Sequence, residues 1–331
     1  MNLFRFRSLT CALVLAAAAG AAEPTLLNVS YDVTREFYKE LNPLFIARWQ
    51  QQTGAKLAIN QSHGGSSKQV RSVVDGLQAD VVTMNGVPDV DQLAKAGLIP
   101  AGWAKRLPNQ SVPYTSTILF VVRHGNPRGI HGWDDLVQEG VSVVIPNPKT
   151  SGNGRYSYLA AWLHALKRPG GGEAAARDFV KKLFANVPVL DTGGRGATTT
   201  FAQRGIGDVL LTFENEAALI QKELGPDAVE IVVPAESILA ENPVVWVDKV
   251  VRKKGTEAAA RAYLEFLYSP EGQALAAKYY FRPLDPDAAA AYPGRFPALK
   301  LYSVPQEFGS WDQAQRTHFA DGGTFDQIYQ K

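Results

Sequence analysis

Along most of the 331 residues, short apolar runs take turns with segments whose apolar residues recur at helical spacing. That alternation confines the chain to a mixed α/β architecture on largely parallel sheets. Residues 26–29 predict an opening strand, 33–52 a helix and 57–59 a second strand. Val70, Val73, Val74 and Leu77 share one helical face, and 80–84 predicts a third strand. Residues 117–122 form a long apolar, β-branched strand, with later strands at 141–145 and 187–190. Leu159, Trp162, Leu163 and Leu166 lie at i, i+3, i+4 and i+7 on a helix that begins near Gly154, and another helix begins near Ala197. The cluster Gly170, Gly171 and Gly172 reads as a loop. No period of 20 to 50 residues repeats.

Residues 1–22 carry Arg5 and Arg7 ahead of an apolar run at 9–19, then Ala19, Gly20, Ala21 and Ala22, the pattern of a cleaved export signal. The run is shorter than a membrane span, so the mature chain is expected to be secreted and soluble. The only cysteine, Cys11, lies inside that segment. A cysteine-free mature chain excludes a disulfide framework, a thiol nucleophile and a cysteine zinc site. Burial alone must then hold about 309 residues, enough for two domains. The 34 basic residues include Arg5 and Arg7 while no acidic residue precedes position 23, so the mature balance is zero. A neutral surface without basic runs argues against nucleic acid or anionic membrane as a partner. The five histidines, at 63, 124, 131, 164 and 318, lack metal-ligand spacing.

Three segments share one design, in which a strand ends, glycine, serine and threonine follow, and an amphipathic helix begins. They run from Ser62 to Lys68, from Lys149 to Arg155 and from Asp191 to Thr198. A helix start leaves about four backbone N–H groups unpaired and carries roughly half a positive charge, so it suits an anion. Glycine admits close backbone approach, and serine and threonine add hydroxyl donors. Open α/β sheets place ligands at the carboxyl ends of their strands. Donors without a counter-charge suit a fully ionised dianion. An acid about 4 Å away would oppose it by about 4 kcal/mol at an effective dielectric near 20 and would select a protonated ligand such as hydrogen phosphate instead. None of the three loops sets an acid at a helix-start donor position, which favours sulfate over phosphate and leaves molybdate open. A secreted serine hydrolase is the alternative of another class, since Ser66 lies near His63 and Lys149-Thr150-Ser151 looks like a KTG element. No G-x-S-x-G surrounds Ser66, and no S-x-x-K occurs in the chain.

The stretches Ser30-Tyr31-Asp32-Val33-Thr34-Arg35-Glu36, 61–69, 146–155, 194–201 and Gly322-Gly323-Thr324-Phe325-Asp326 strongly resemble the periplasmic sulfate-binding and thiosulfate-binding proteins of ABC importers. The likeness covers essentially the whole mature chain. It implies a two-lobed periplasmic binding protein fold of type II, with the ligand in the interlobe cleft and without metal, cofactor or catalysis. It also implies a monomer that hands its anion to a membrane permease. By motif position, the backbone of Asp32 and the backbone and hydroxyl of Ser66 would donate from one lobe. Ser151, Gly152, Asn153 and Gly194 would donate from the other, with the Asp32 carboxylate turned away. His63, Asp89, Arg155 and Arg195 would brace the loops. Phe213 departs from the sulfate-binding pattern, which has a tryptophan donor there, and together with Asn153 resembles the thiosulfate branch. Lobe I is expected at 23–122 plus 246–295 and lobe II at 123–245 plus 296–331, with hinge crossings near 117–122 and 242–247.

Overall fold

The structure is a computed structural model that describes residues 23–329; the expected export signal lies outside them. Two four-stranded sheets organise the chain. The first contains β1 (Thr25–Tyr31), β2 (Ala58–Gly64), β3 (Val81–Thr83) and, returning late, the strand Val244–Trp246. β1 runs parallel to both β2 and β3, and the late strand closes the edge antiparallel to β3. Between the first and second sheets lies β4 (Tyr114–Ser116). The second sheet holds β5 (Ile118–Arg123), β6 (Val143–Val144), β7 (Val209–Phe213) and β8 (Val229–Val232) in the order β6-β7-β5-β8.

The remaining strands are β9 (Glu236–Ile238), β10 (Ala240–Glu241), β11, which is Val244–Trp246, β12 (Arg282–Pro283) and β13 (Lys300–Tyr302). β9 and β13 pair in parallel. A small antiparallel sheet, β10-β4-β12, stands where the chain passes from the first large sheet to the second and back.

Apolar runs become strands here because helices cover both faces of each sheet. Every residue of β3 and β7 is buried, as are all of β5 except Arg123. The helix Gly152–Lys167 buries thirteen of its sixteen residues and therefore acts as a core element of the second half rather than a surface one. Residues 300–329 pack onto that half too, with Phe325 5.2 Å from Phe184 and edge-on to it.

Three expectations change. Residues 187–190 form no strand. Pro188 cannot donate to a ladder, and the segment is tied at its flanks instead, where Val143 N–H bonds the Asn186 carbonyl and Asn147 N–H the Asp191 carbonyl. The run 118–122, counted with the first lobe, pairs with β7 and β8. It is therefore a strand of the second sheet. The helices expected near Gly154 and Ala197 begin earlier, at Gly152 and Gly194, so the glycine runs are themselves first helical turns.

Long-range polar ties fix the two returns of the chain. Buried Asp80, just before β3, accepts from Leu27 N–H at 2.7 Å and also from Thr256 and Lys254. Glu214, immediately after β7, pairs with Arg282 of the small sheet at 2.6 and 2.8 Å. Glu214 is 3% and Arg282 19% exposed. Glu214→Ala would leave that guanidinium without its carboxylate, and breaking a buried pair costs about 3 kcal/mol. Urea unfolding should show a loss of that size.

Candidate functional site

The two large sheets present the ends of their strands to one another. Asp32 opens a 3-10 turn directly after β1, and Ser66 opens the helix Ser66–Val74 after β2. From the other side, Ser151 stands in extended conformation before the Gly152 helix. Gly194 opens a short helix that continues as a π turn over Thr199–Gln203, and Phe213 closes β7.

These residues meet. The Ser66 hydroxyl accepts from Gly152 N–H at 3.1 Å. Thr150 Oγ1 donates to the Thr192 carbonyl at 3.0 Å, joining the two loops of the second half. A Cβ on Gly194 would lie 3.2 Å from Val33 and 3.4 Å from the Asn153 amide nitrogen. Asn153 spends its side chain on Thr212 Oγ1 at 3.1 Å and on Ser157 at 3.2 Å. Asp32, Ser66, Ser151, Gly152, Asn153 and Gly194 are all buried at this junction. Glycine is required where the halves approach most closely. A Cβ at Gly65 would stand 2.7 Å from the Thr192 carbonyl and 3.2 Å from that of Thr150, and at Gly152 it would overlap the Asn85 carboxamide.

The Asp32 carboxylate crosses to the other half and accepts from Arg195 N–H, at the start of the Gly194 helix, at 3.1 Å. Burial pushes its pKa up, against the pull of the Arg195 N–H and guanidinium. Phe213 lies at the edge of the junction, one residue beyond Thr212, with its ring 6.1 Å from Tyr31 and 5.9 Å from Tyr156, both edge-on. It adds an apolar wall and no donor.

The residues expected as braces make the following contacts. His63 Nδ1 meets Ser30 Oγ at 2.6 Å, and the same oxygen accepts from Thr34 Oγ1, tying the end of β2 to β1. Burial, assisted by Arg35, pulls the His63 pKa down to about 4. Arg155 donates to Asp89 at 2.6 Å and to Ser67 Oγ at 2.8 Å, and Ser67 donates to Asp89 at 2.9 Å. This closed triangle joins the two halves with Arg155 3% and Asp89 0% exposed. Arg195 reaches Glu36 of the first half at 3.0 Å and lies 3.6 Å from Glu216. Burial pushes Glu216 up to about 7, and its Oε1 accepts from Thr198 at 2.7 Å. Sequence reading singled out neither Ser67 nor Glu216. An acidic residue directly behind an apolar strand, as in Phe213-Glu214-Asn215-Glu216, is the signal that points to the second.

Chemically, helix starts from both halves aim donors at one buried place, while the Arg155 and Arg195 guanidinium groups are spent on carboxylates. That suits an anion held by neutral donors. It does not suit a hydrolase, because His63 turns its Nδ1 to Ser30 rather than to Ser66. Among the described residues no cluster of histidine or carboxylate side chains could hold a metal ion.

Gly65→Ala should weaken binding of an anion here at least about tenfold, or about 1.4 kcal/mol, because its methyl group meets carbonyls of the opposite half. Titration calorimetry measures the loss, and the unfolding midpoint of the anion-free protein should hardly move. A second expectation concerns pH. A ring whose folded pKa falls from 6.5 to about 4 is protonated first in the unfolded chain. Its contribution is intact above about pH 6.5 and eroded as pH falls towards 4. His318, pulled down to about 4 by its own burial, adds to the same slope. Melting curves of His63→Gln across this window should be less pH-dependent than those of the unaltered protein.

Comparison with known proteins agrees with this geometry. The model of the family described as bacterial extracellular solute-binding protein matches residues 30–282. The thiosulfate-binding protein of Pseudomonas aeruginosa is 57% identical over 329 residues, 99% of this chain and 98% of that one. The sulfate-binding protein of Escherichia coli K12 is also 57% identical, over 316 residues and 96% of each chain. Among solved structures, the sulfate-binding protein SubI from Mycobacterium tuberculosis H37Rv superposes with a TM-score of 0.81 at 33% identity. That match covers 89% of this chain and 99% of SubI. With the two-sheet fold, the junction of helix starts and these relatives in agreement, the chain belongs to the bacterial extracellular solute-binding protein family and is a binding protein rather than an enzyme.

Proposed function

We propose that the protein captures thiosulfate or sulfate in the junction between its two halves and delivers it to the membrane permease of an ABC importer. One observation carries the reading: the loops of both halves converge on a buried spot through neutral N–H and hydroxyl groups, while Arg155 and Arg195 are each held by carboxylates. A fully ionised tetrahedral anion accepts on every oxygen and offers no proton, and this donor set matches it. The N–H groups of Asp32, Ser66, Gly152, Asn153 and Gly194 and the hydroxyls of Ser66 and Ser151 are the proposed donors. The names of the relatives support the same two anions.

In this reading the lobes that close on the anion would comprise 23–117 plus 243–295 and 118–242 plus 296–329, a division that the strand pairings on either side of Thr117 and of Asn242 and Pro243 support. The ligand favours the closed form because only that form brings both donor sets to one anion. The expected signal at 1–22 would deliver the protein to the periplasm.

Phe213 bears on the choice of anion. Where a donor to a charged acceptor is missing, sulfate loses about 1.5 to 3 kcal/mol. The outer sulfur of thiosulfate is larger and a weaker acceptor, and it tolerates the phenyl edge. Calorimetric titration of ligand-stripped protein with sulfate, thiosulfate, molybdate and phosphate should give tighter thiosulfate than sulfate binding. Phe213→Trp should move the order towards sulfate. Binding of phosphate or molybdate with neither sulfur anion would overturn the ligand and leave only an oxyanion site.

A further inference from the structure

Asn85 stands two residues beyond β3 and is only 3% exposed. Its Oδ1 is enclosed without any hydrogen-bond partner, and its Nδ2 makes no hydrogen bond with the described residues either. A polar group buried this deeply normally finds a partner, since desolvation without one is unfavourable. The same carboxamide occupies the space that a Cβ would fill at Gly152, the first residue of the sixteen-residue helix whose N–H groups enter the junction. It comes from the first half and presses against the second, so the contact exists only when the halves meet.

The oxygen and nitrogen of a carboxamide have nearly the same shape, and half a turn about the terminal bond exchanges them without steric change. In the exchanged orientation the NH2 group faces the helix start, where the neighbouring backbone groups are also donors and an acceptor must come from elsewhere. We infer that Asn85 is a further specificity-determining donor, whose NH2 hydrogen-bonds the oxyanion received by the Gly152 helix. It supplies a neutral side-chain donor in a site whose Phe213 supplies none. Being uncharged, it holds a dianion without attracting cations of its own or repelling the guest. The inference rests on the proposed capture of sulfate or thiosulfate.

The test titrates the unaltered protein, Asn85→Ala and Asn85→Asp with sulfate and thiosulfate at about pH 7.5 and about pH 5. Circular dichroism and thermal unfolding without anion establish that each variant is folded. Asn85→Ala should weaken binding between about ten- and a hundredfold, as loss of a donor to a charged acceptor does. Asn85→Asp should be weaker still at the higher pH, where its carboxylate repels the anion. It should recover on acidification, when the protonated acid donates again. Asn85→Ala binding within twofold of the unaltered protein overturns the inference and leaves the capture reading intact. Equal losses in both variants without recovery at low pH overturn it as well, since they assign Asn85 to packing on Gly152. If the unaltered protein binds neither anion, the capture reading itself fails and Asn85 falls with it.

Discussion

Helix starts from two separate sheets can share one guest only if their backbones come within hydrogen-bonding range of each other, and side chains at the meeting points forbid that. Gly65, Gly152 and Gly193 remove the obstruction. Each would otherwise strike a carbonyl, a carboxamide or a carboxylate of the opposite half. Given that approach, Ser66 can bond Gly152 and Asp32 can bond Arg195. The rest of the fold, from the doubly covered sheets to the small sheet at the crossings, holds these few backbone atoms in register.

The second requirement is electrostatic. A cation left free beside the junction would bind any anion strongly and with little discrimination. Instead, three of the nearby positive side chains are matched: Arg155 by Asp89, Arg195 by Glu36 and Glu216, and Lys149 by Asp321 and Asp326. What remains for a guest is the directional field of N–H groups, whose geometry selects shape as well as charge. The Asp32 carboxylate fits this scheme because it bonds a donor of the other half. In that position it fastens one half to the other at the start of the Gly194 helix.

Much of this was legible in the chain itself. The strand and helix rhythm predicted the sheets, and the three glycine-rich runs marked the helix starts, because both signals are local. Non-local features were harder. The run 187–190 has the composition of a strand, but Pro188 denies it a ladder. Residues 118–122 read as a strand, and which sheet they join depends on partners about ninety residues later. The role of Asp32 was read through its N–H alone, since nothing near position 32 reveals that Arg195 will stand opposite. Ser67 and Asn85 carry no sequence signal at all, because their meaning comes only from Arg155 and Gly152 across the junction.

The brace on Lys149 has a further meaning in time. Its partners Asp321 and Asp326 lie 172 and 177 residues further along, so they are made long after it. The loop that begins the Gly152 helix therefore lacks its anchor until those residues have been added, and the ties from Asp80 to Thr256 and from Asn28 to Tyr263 likewise wait for distant partners. Contacts so distant in sequence form slowly. A chain assembled in this order stays pliable while it is being made, which is the state in which a polypeptide can still be threaded through a membrane. It gains its braced junction only after residues 321–326 have arrived.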